Sequence, residues 1–405
     1  MLDINEAMER ILGSVRPLGV EKVDILESGG RVLGQEVYAD SDVPYNDNSA
    51  MDGYAVIAAD VSGSSDSSPV ELEVLEEIPA GSVPSREVVA GKASRIMTGA
   101  PMPDGANAVV MVEYTEKEGD RVRIKAPVGE GANIRRAGED IQRGQLLFSP
   151  GRQLKPADIG VLSSAGLSEV EVGRRPVVGI ITTGDEIVEP SEPAGRGRVR
   201  NSNGYTLYSL CASCGAVPKF FGIVPDAREK LEKVFAEAAE TCDVIITSGG
   251  VSVGDFDLVK TVIEEMGSVD FWRVRMKPGK PLAFGAMGGR PLFGLPGNPV
   301  SVMVNFEMFV RPLLLSMMGA REFQRKRTTG KLEHEYTEKP TRTKIIRGVA
   351  SRTRDGLTVR TTGMQGSGIL MSMVLANCFF VMPEGLKKLK KDDVVEIIPL
   401  DNFPV

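Results

Sequence analysis

The chain has 405 residues, 42% hydrophobic and 25% charged, which is length for two to four domains at about 150 residues each and a balance that excludes a disordered or fibrous protein. Lysine and arginine total 48 against 55 aspartates and glutamates, a net charge of -7, so general attraction to nucleic acid or to a membrane surface is not expected and an anionic ligand has to be caught locally. The single histidine, His334, argues against a His-rich zinc site or a Ser-His-Asp triad elsewhere, leaving carboxylates, lysines, hydroxyls and backbone amides to carry any chemistry.

The N-terminus, MLDINEAMER, lacks the basic then apolar layout of a signal peptide, and no run of about 18 apolar residues is evident. Four cysteines are too few for a disulfide framework, so a reducing cytoplasm is the expected location. Residues 1–45 and 142–173 are predicted to form a discontinuous helical domain. Ile4, Ala7, Met8, Ile11 and Leu12 share a helix face behind an Asp3 cap, and Pro156 suits the first turn of a second helix over 155–165. Residues 46–141, between them, break into short alternating stretches divided by Gly, Pro and Ser clusters, the texture of an inserted β-rich domain.

Residues 174–326 read as an α/β domain. The apolar run 176–182 is a strand covered on both faces, and it ends in the polar turn Thr183-Gly184-Asp185-Glu186. A helix from about Gly204 to Gly215 follows, then a strand near 217–224 ending at Pro225-Asp226. Next come a helix with Leu231, Val234, Phe235 and Ala238 on one face, a strand over 243–247 and a helix over 258–266. This alternation implies a parallel, doubly wound sheet whose ligands gather at the carboxyl ends of the strands. Cys211 and Cys214 sit in an apolar helical pattern, which points to packing rather than redox or metal chemistry. Pro312 should bend or end the apolar helix over 300–318. After residue 326 short β-like pieces return, with a hairpin signal at Asp355-Gly356, and predict a small terminal β domain over 327–405.

Three turns of the α/β region carry candidate chemistry. Ser248-Gly249-Gly250-Val251-Ser252 follows a buried strand; its glycines admit a close anion and its hydroxyls add donors, although a plain strand-to-helix turn needs the same glycines. Pro296-Gly297-Asn298-Pro299 places a cap and a first-turn proline at a helix start with free amides. Lys277-Pro278-Gly279-Lys280 holds two cations on a proline-restricted loop and suits a diphosphate. Asp185, Glu186, Asp226, Asp255 and Asp257 all follow predicted strands. Carboxylates beside phosphates repel them unless a hard cation such as Mg²⁺ lies between, which predicts a metal–phosphate site.

Taken in order, DNSAMDGYA from Asp47, RIMTGAP from Arg95, GEDI from Gly138, TTGDE from Thr182, SGGVSVGDFD from Ser248, MKPGKP from Met276 and GLPGNPVS from Gly294 resemble the molybdopterin molybdenumtransferase family of MoeA type, which includes the gephyrin E domain. The resemblance implies four parts: the discontinuous helical domain, the inserted β domain, a molybdopterin-binding α/β domain and a C-terminal β-barrel. It also implies a homodimer whose cleft lies between the α/β domain of one subunit and the inserted domain of the other. The reaction implied is insertion of molybdate (or tungstate) into adenylylated molybdopterin with release of AMP, assisted by Mg²⁺, and a molybdopterin adenylyltransferase is an expected partner.

Carried onto this sequence, the resemblance makes Asp52, Thr98, Asp140, Glu186, Asp226, Asp257, Lys277 and Lys280 the catalytic set, with Glu186, Asp226 and Asp257 as metal ligands. Thr183, Gly184, Asp185, Ser248, Gly249, Gly250, Ser252, Pro296, Gly297, Asn298 and Pro299 would hold pterin or phosphates, joined by Arg347 and Ser367 from the terminal domain. Two departures stand out. Arg273 follows Trp272 where lysine is common, and the loop Arg200-Asn201-Ser202-Asn203 has asparagine where many members have aspartate, which argues against a charge-based role for it. Adenylylation of molybdopterin, and a non-catalytic scaffold of gephyrin kind, are the alternative functions.

Overall fold

The structure, a computed structural model, describes residues 1–250, 258–339 and 341–404. A six-stranded sheet lies at its centre in the order Val217–Val224, Val177–Thr183, Val244–Ser248, Arg290–Leu295, Pro281–Met287, Gly267–Arg273. The first four strands are parallel, and the last two run antiparallel. The expected all-parallel sheet is therefore mixed. The reason is local: Gly288 and Gly289, at φ 55° and 76°, form a two-residue hairpin turn, and so short a connection leaves no room for a crossover helix.

Val178 and Ile180 face one core with Leu207, Phe293 and Phe309, while Ile181 and Ile245 face the other with Phe235 and Ile263. This alternation puts Ser202–Ser213 and the helix that begins at Pro299 on one side of the sheet and Arg228–Thr241 and Leu258–Met266 on the other. Pro312 neither ends nor breaks its helix. Lacking an N–H for the usual bond, it follows a widened π turn, Phe306–Val310, in which the Arg311 N–H reaches the Phe306 carbonyl. The resulting Pro299–Met317 is the one helix among the described residues long and apolar enough to cross a membrane, and 78% of it is buried as the core of this domain.

The helical reading of the first forty residues holds only for Ile4–Gly13, whose Ala7, Met8 and Ile11 join the α/β core. Beyond Pro17 and Gly19 the chain pairs instead, Val20–Asp24 with Glu169–Gly173 and Val37–Tyr38 with Leu146–Phe148. Helix Pro156–Ser164 packs Leu162 against Leu33, Val170 and Val172 to close this small unit. The inserted segment is a six-stranded sheet over Tyr54, Val56, Leu72, Val122 and Ile124. In the terminal domain Thr343–Thr353, Gly356–Thr361, Thr328–Leu332, Val394–Pro399 and Cys378–Met382 pair in a ring that closes on its first strand, a five-stranded barrel. The α/β domain joins it through Met276–Lys277, which pairs parallel with Thr343 and Lys344.

All four cysteines are unpaired and buried. Burial pushes the Cys214 thiol up to about 11 and Cys378 to about 12, with Cys211 and Cys242 also raised. Native protein at neutral pH should therefore resist a thiol titrant such as Ellman's reagent, and all four thiols should react once it is denatured. Rapid reaction of Cys211 or Cys214 in the native state would contradict their role as packing.

Candidate functional site

Because the four parallel strands lie side by side, the loops that follow them meet along one edge: Asp226, residues 183–186, residues 248–250 and residues 296–299. A cavity of about 540 Å³ opens there, lined by Thr182, Thr183, Glu186, Asn203, Ser248, Gly249, Gly297, Asn298 and Pro299. Its walls are held by neutral groups. The Gly249 N–H donates to the Leu295 carbonyl at 3.1 Å, and the Asn203 amide donates to both Ser248 Oγ and the Gly297 carbonyl at 2.9 Å, tying the two glycine turns together. Asn201 caps the helix that carries Asn203, its Oδ1 accepting from the Gly204 N–H at 2.9 Å. The loop that the sequence discounted for want of charge thus acts through carboxamides. The available signal was two asparagines at and just after a helix start.

Gly184, at φ 134°, lets the chain turn so tightly that a Cβ there would lie 2.7 Å from Glu186 Oε2. Gly249, at φ 104°, brings the backbone so close that a Cβ would lie 2.4 Å from the Thr183 carbonyl oxygen, and Gly250 is also left-handed. Around them Thr183 Oγ1, Asn201 Nδ2, Asn203 Oδ1 and Thr247 Oγ1 are buried without a hydrogen-bond partner among the described residues. Each such atom costs roughly 1–3 kcal/mol, so the edge is suited to completion by a polar guest.

The acids divide between roles. Asp185 Oδ1 accepts from the Asp226 N–H at 3.2 Å and so links two neighbouring loops, while Glu186 lines the cavity. Of the three expected metal ligands, Glu186 and Asp226 stand at this edge, and Asp257, like Ser252, lies outside the described residues. Among the described residues no group of three or more His, Cys, Asp or Glu could hold a metal. Mg²⁺ commonly takes only one or two carboxylates and completes its shell with phosphate oxygens and water, so Glu186 and Asp226 fit it in donor type.

Lys277 and Lys280 open elsewhere. With Arg342, Ser301, Glu338, Gln365 and Ser367 they line a cavity of about 750 Å³ between the α/β domain and the barrel. Gly279, at φ 97°, packs where a Cβ would lie 2.6 Å from Asn305 Oδ1, and Asn305 Nδ2 donates to the Pro281 carbonyl at 3.2 Å, so the long core helix holds the lysine loop. Asn298 makes no capping bond through its side chain and lines both cavities. The Val300 N–H, one of the amides expected to be free, is taken by the Ser367 carbonyl at 3.2 Å.

Arg347 does not line the cavity. It is 1% exposed; its Nε donates to Ser372 Oγ at 3.1 Å and its Nη2 to the Gly366 carbonyl at 3.0 Å, so it shapes the loop that carries Ser367. Burial brings its pKa down to about 10, which leaves it charged at neutral pH.

The inserted domain keeps its three residues exposed. Asp52 Oδ1 accepts from both the N–H and the hydroxyl of Thr98 at 2.7 Å, and these bonds hold its carboxyl below the usual carboxylate range. The Asp140 N–H donates to the Val43 carbonyl at 3.1 Å. Among the described residues none of the three reaches the α/β edge by a hydrogen bond or ion pair.

The comparisons agree along the whole chain. Residues 2–166 match the MoeA N-terminal region (domains I and II), 179–316 a probable molybdopterin-binding domain, and 329–400 the MoeA C-terminal region (domain IV). The chain is 34% identical over 418 residues to a molybdopterin molybdenumtransferase of Haemophilus influenzae, covering 100% of both. It is 34% identical over 402 residues to one of Bacillus subtilis, covering 98% of this chain and 94% of the other. A crystal structure of the molybdopterin biosynthesis MoeA protein from Pyrococcus horikoshii superposes with a TM-score of 0.83 at 32% identity, over 98% of this chain and 99% of that one.

The two glycine turns should respond differently to a methyl group. Gly249→Ala should destabilise by about 2 kcal/mol or more, from left-handed strain plus the carbonyl clash. Gly297→Ala meets nothing within 4 Å among the described residues and should change stability by less than about 1 kcal/mol. Urea denaturation of the two variants checks this, and equal midpoints would contradict the geometry.

Proposed function

The chain belongs to the molybdopterin molybdenumtransferase family and is a transferase of molybdenum cofactor biosynthesis, inserting molybdenum into molybdopterin; on that premise we propose that its two cavities divide the substrates between them. The strand edge takes the pterin nucleotide, and the basic cavity takes the oxyanion. One observation carries this division: Glu186 and the glycine turns line one cavity, Lys277, Lys280 and Arg342 line the one beside it, and among the described residues the two share only Asn298. A tetrahedral dianion is drawn to Lys277, Lys280 and Arg342, whereas a phosphate chain fits the glycine turns, where backbone amides and short hydroxyls approach closely.

In this reading Thr183, Ser248, Gly249, Gly250, Gly297 and Asn298 hold the ligand, and Asn203 fixes the spacing of the two turns. Pro296 and Pro299 stiffen the second turn, and Arg347 and Ser367 shape the oxyanion side. Glu186, Asp226 and Asp257 would hold Mg²⁺, which when bound supplies charge neutralisation on the phosphate oxygens. Molybdate, or equally tungstate, passes from the lysines by Asn298 to the dithiolene sulfurs, and the pyrophosphate bond of the adenylylated pterin is hydrolysed to release AMP. Asp52, Thr98 and Asp140 act on the edge of the partner subunit in a homodimer. The exposed Asp52–Thr98 pair, bonded among the described residues only within its own unit, supports that arrangement. A cytoplasmic setting is supported by four unpaired thiols, and an adenylyltransferase would be the partner that delivers the substrate. The full-length match to three MoeA regions favours insertion over adenylylation of the pterin.

AMP release from adenylylated molybdopterin with Mg²⁺ and molybdate tests the reading. Lys277→Ala should raise the molybdate concentration for half-maximal rate on the order of tenfold, and Glu186→Gln should lower the rate at saturating molybdate on the order of a hundredfold. Equal turnover in both variants would remove the assignment. At limiting molybdate, mixed dimers of Asp52→Ala and Lys277→Ala chains should be more active than either variant alone, because one site then keeps both intact halves; no gain would exclude sites shared between subunits.

A further inference from the structure

We propose that Glu338 sets the oxyanion affinity of the basic cavity by holding Lys277 until the anion displaces it, an inference that rests on the reading of that cavity as the oxyanion site. Lys277 and Lys344 are direct partners in the parallel ladder between the α/β domain and the barrel. Two like charges at one register repel. Glu338 relieves them: its Oε2 accepts from Lys277 Nζ at 3.2 Å, and its Oε1 lies 3.9 Å from Lys344 Nζ.

The two lysines are not equivalent. The Lys344 side chain is 4% exposed, whereas that of Lys277 is 49% exposed and lines the cavity. Lys344 is the fixed partner, and Lys277 is the one able to turn toward a guest. Burial favours the neutral form of Glu338, but the Lys339 amide at 3.0 Å and the two ammonium groups outweigh it and keep the carboxylate ionised at neutral pH.

Glu338 lines the cavity too, so it competes with the oxyanion for Lys277. Molybdate is fully deprotonated at neutral pH and has no proton to donate to a carboxylate. The Lys277 ammonium keeps other donors free, but molybdate meets its full charge, without repulsion from the carboxylate beside it, only when the Glu338–Lys277 bond opens, with Lys344 left to hold the displaced carboxylate. The consequence is a loosely held oxyanion. Transfer to the pterin requires it to leave the lysines, and tighter ground-state binding would lower KM without raising the rate of transfer.

Titration calorimetry with sodium molybdate on the full-length chain tests the proposal. Glu338→Gln should tighten binding about fivefold, the scale of a half-exposed ion pair removed from competition, and should slow AMP release at saturating molybdate. Glu338→Asp, which keeps the charge on a shorter arm, should tighten binding less. Glu338→Gln should also melt lower than the unaltered chain in plain buffer and recover more on adding molybdate, since the anion then replaces the missing charge. A merely structural glutamate would lower the melting temperature without tightening binding. If Lys277→Ala weakens molybdate binding but Glu338→Gln binds no tighter than the unaltered chain, the competition is overturned and the oxyanion cavity stands. If Lys277→Ala binds molybdate as the unaltered chain does, the cavity assignment itself fails.

Discussion

The register of one short ladder governs the relation between the two cavities. Met276–Lys277 pairs with Thr343 and Lys344 of the barrel, and on its other side Leu2 bridges Val274 while the Arg275 N–H donates to the Leu2 carbonyl at 2.8 Å. Three parts of the chain therefore meet at this crossing. Side chains alternate along a strand, so a slip of one residue would bury Lys277 where Met276 now packs and turn the methionine into the cavity. Met276 is fully buried, and its apolar side chain supplies the preference that fixes the register. The lysine's position is thus secured by its neighbour.

From that crossing the charges sort themselves. The lysine loop faces the barrel, and Glu186 and Asp226 stand after the neighbouring strands Val177–Thr183 and Val217–Val224 at the other side of the sheet. Where opposite signs do meet, at Lys277 and Glu338, they pair at 3.2 Å, and such a half-exposed pair weakens the lysine's pull on a ligand. The construction of the strand edge follows the same economy of charge. Its turns are joined by Asn203 and capped by Asn201, neutral groups that set geometry without adding to the potential a phosphate would meet. An aspartate at position 203 could not donate to Ser248 and the Gly297 carbonyl as this amide does.

The parts that the sequence made legible are those where burial dictates composition. Apolar runs over 176–182 and 243–247 fell within a residue or two of the strands Val177–Thr183 and Val244–Ser248, and helix Leu258–Met266 matched throughout. Candidate turns at Thr183, Ser248 and Gly297 therefore fell on one edge once the strands proved adjacent and parallel. The antiparallel pair Gly267–Arg273 and Pro281–Met287 was hidden, because GSVDFWR mixes polar and apolar residues at a half-exposed sheet edge. The run 20–24 was taken for helix because a short strand with a buried neighbour gives no strong periodicity of its own; only its pairing with Glu169–Gly173 defines it. Motif resemblance located the lysines and the glycine turns but could not separate them into two cavities, since that depends on how the barrel docks.

Arg347 illustrates the same limit and its physical cause. Its sequence context suggested a ligand-binding cation, yet its guanidinium lies inside the barrel, donating to Ser372 and to the Gly366 carbonyl. Among the described residues it forms no ion pair with a carboxylate, so its charge is compensated only by neutral dipoles. Such a group is expensive to bury, and a lysine could not replace it, because the loop is held through a planar fork of donors. What the fold gains is the position of residues 363–367: Gln365 is fixed by bonds to the Arg347 backbone, and Ser367 meets the start of the core helix at Val300. The barrel thereby supplies one wall of the cavity whose opposite wall carries the lysines, and the buried charge adds to the potential within it without needing to touch the guest.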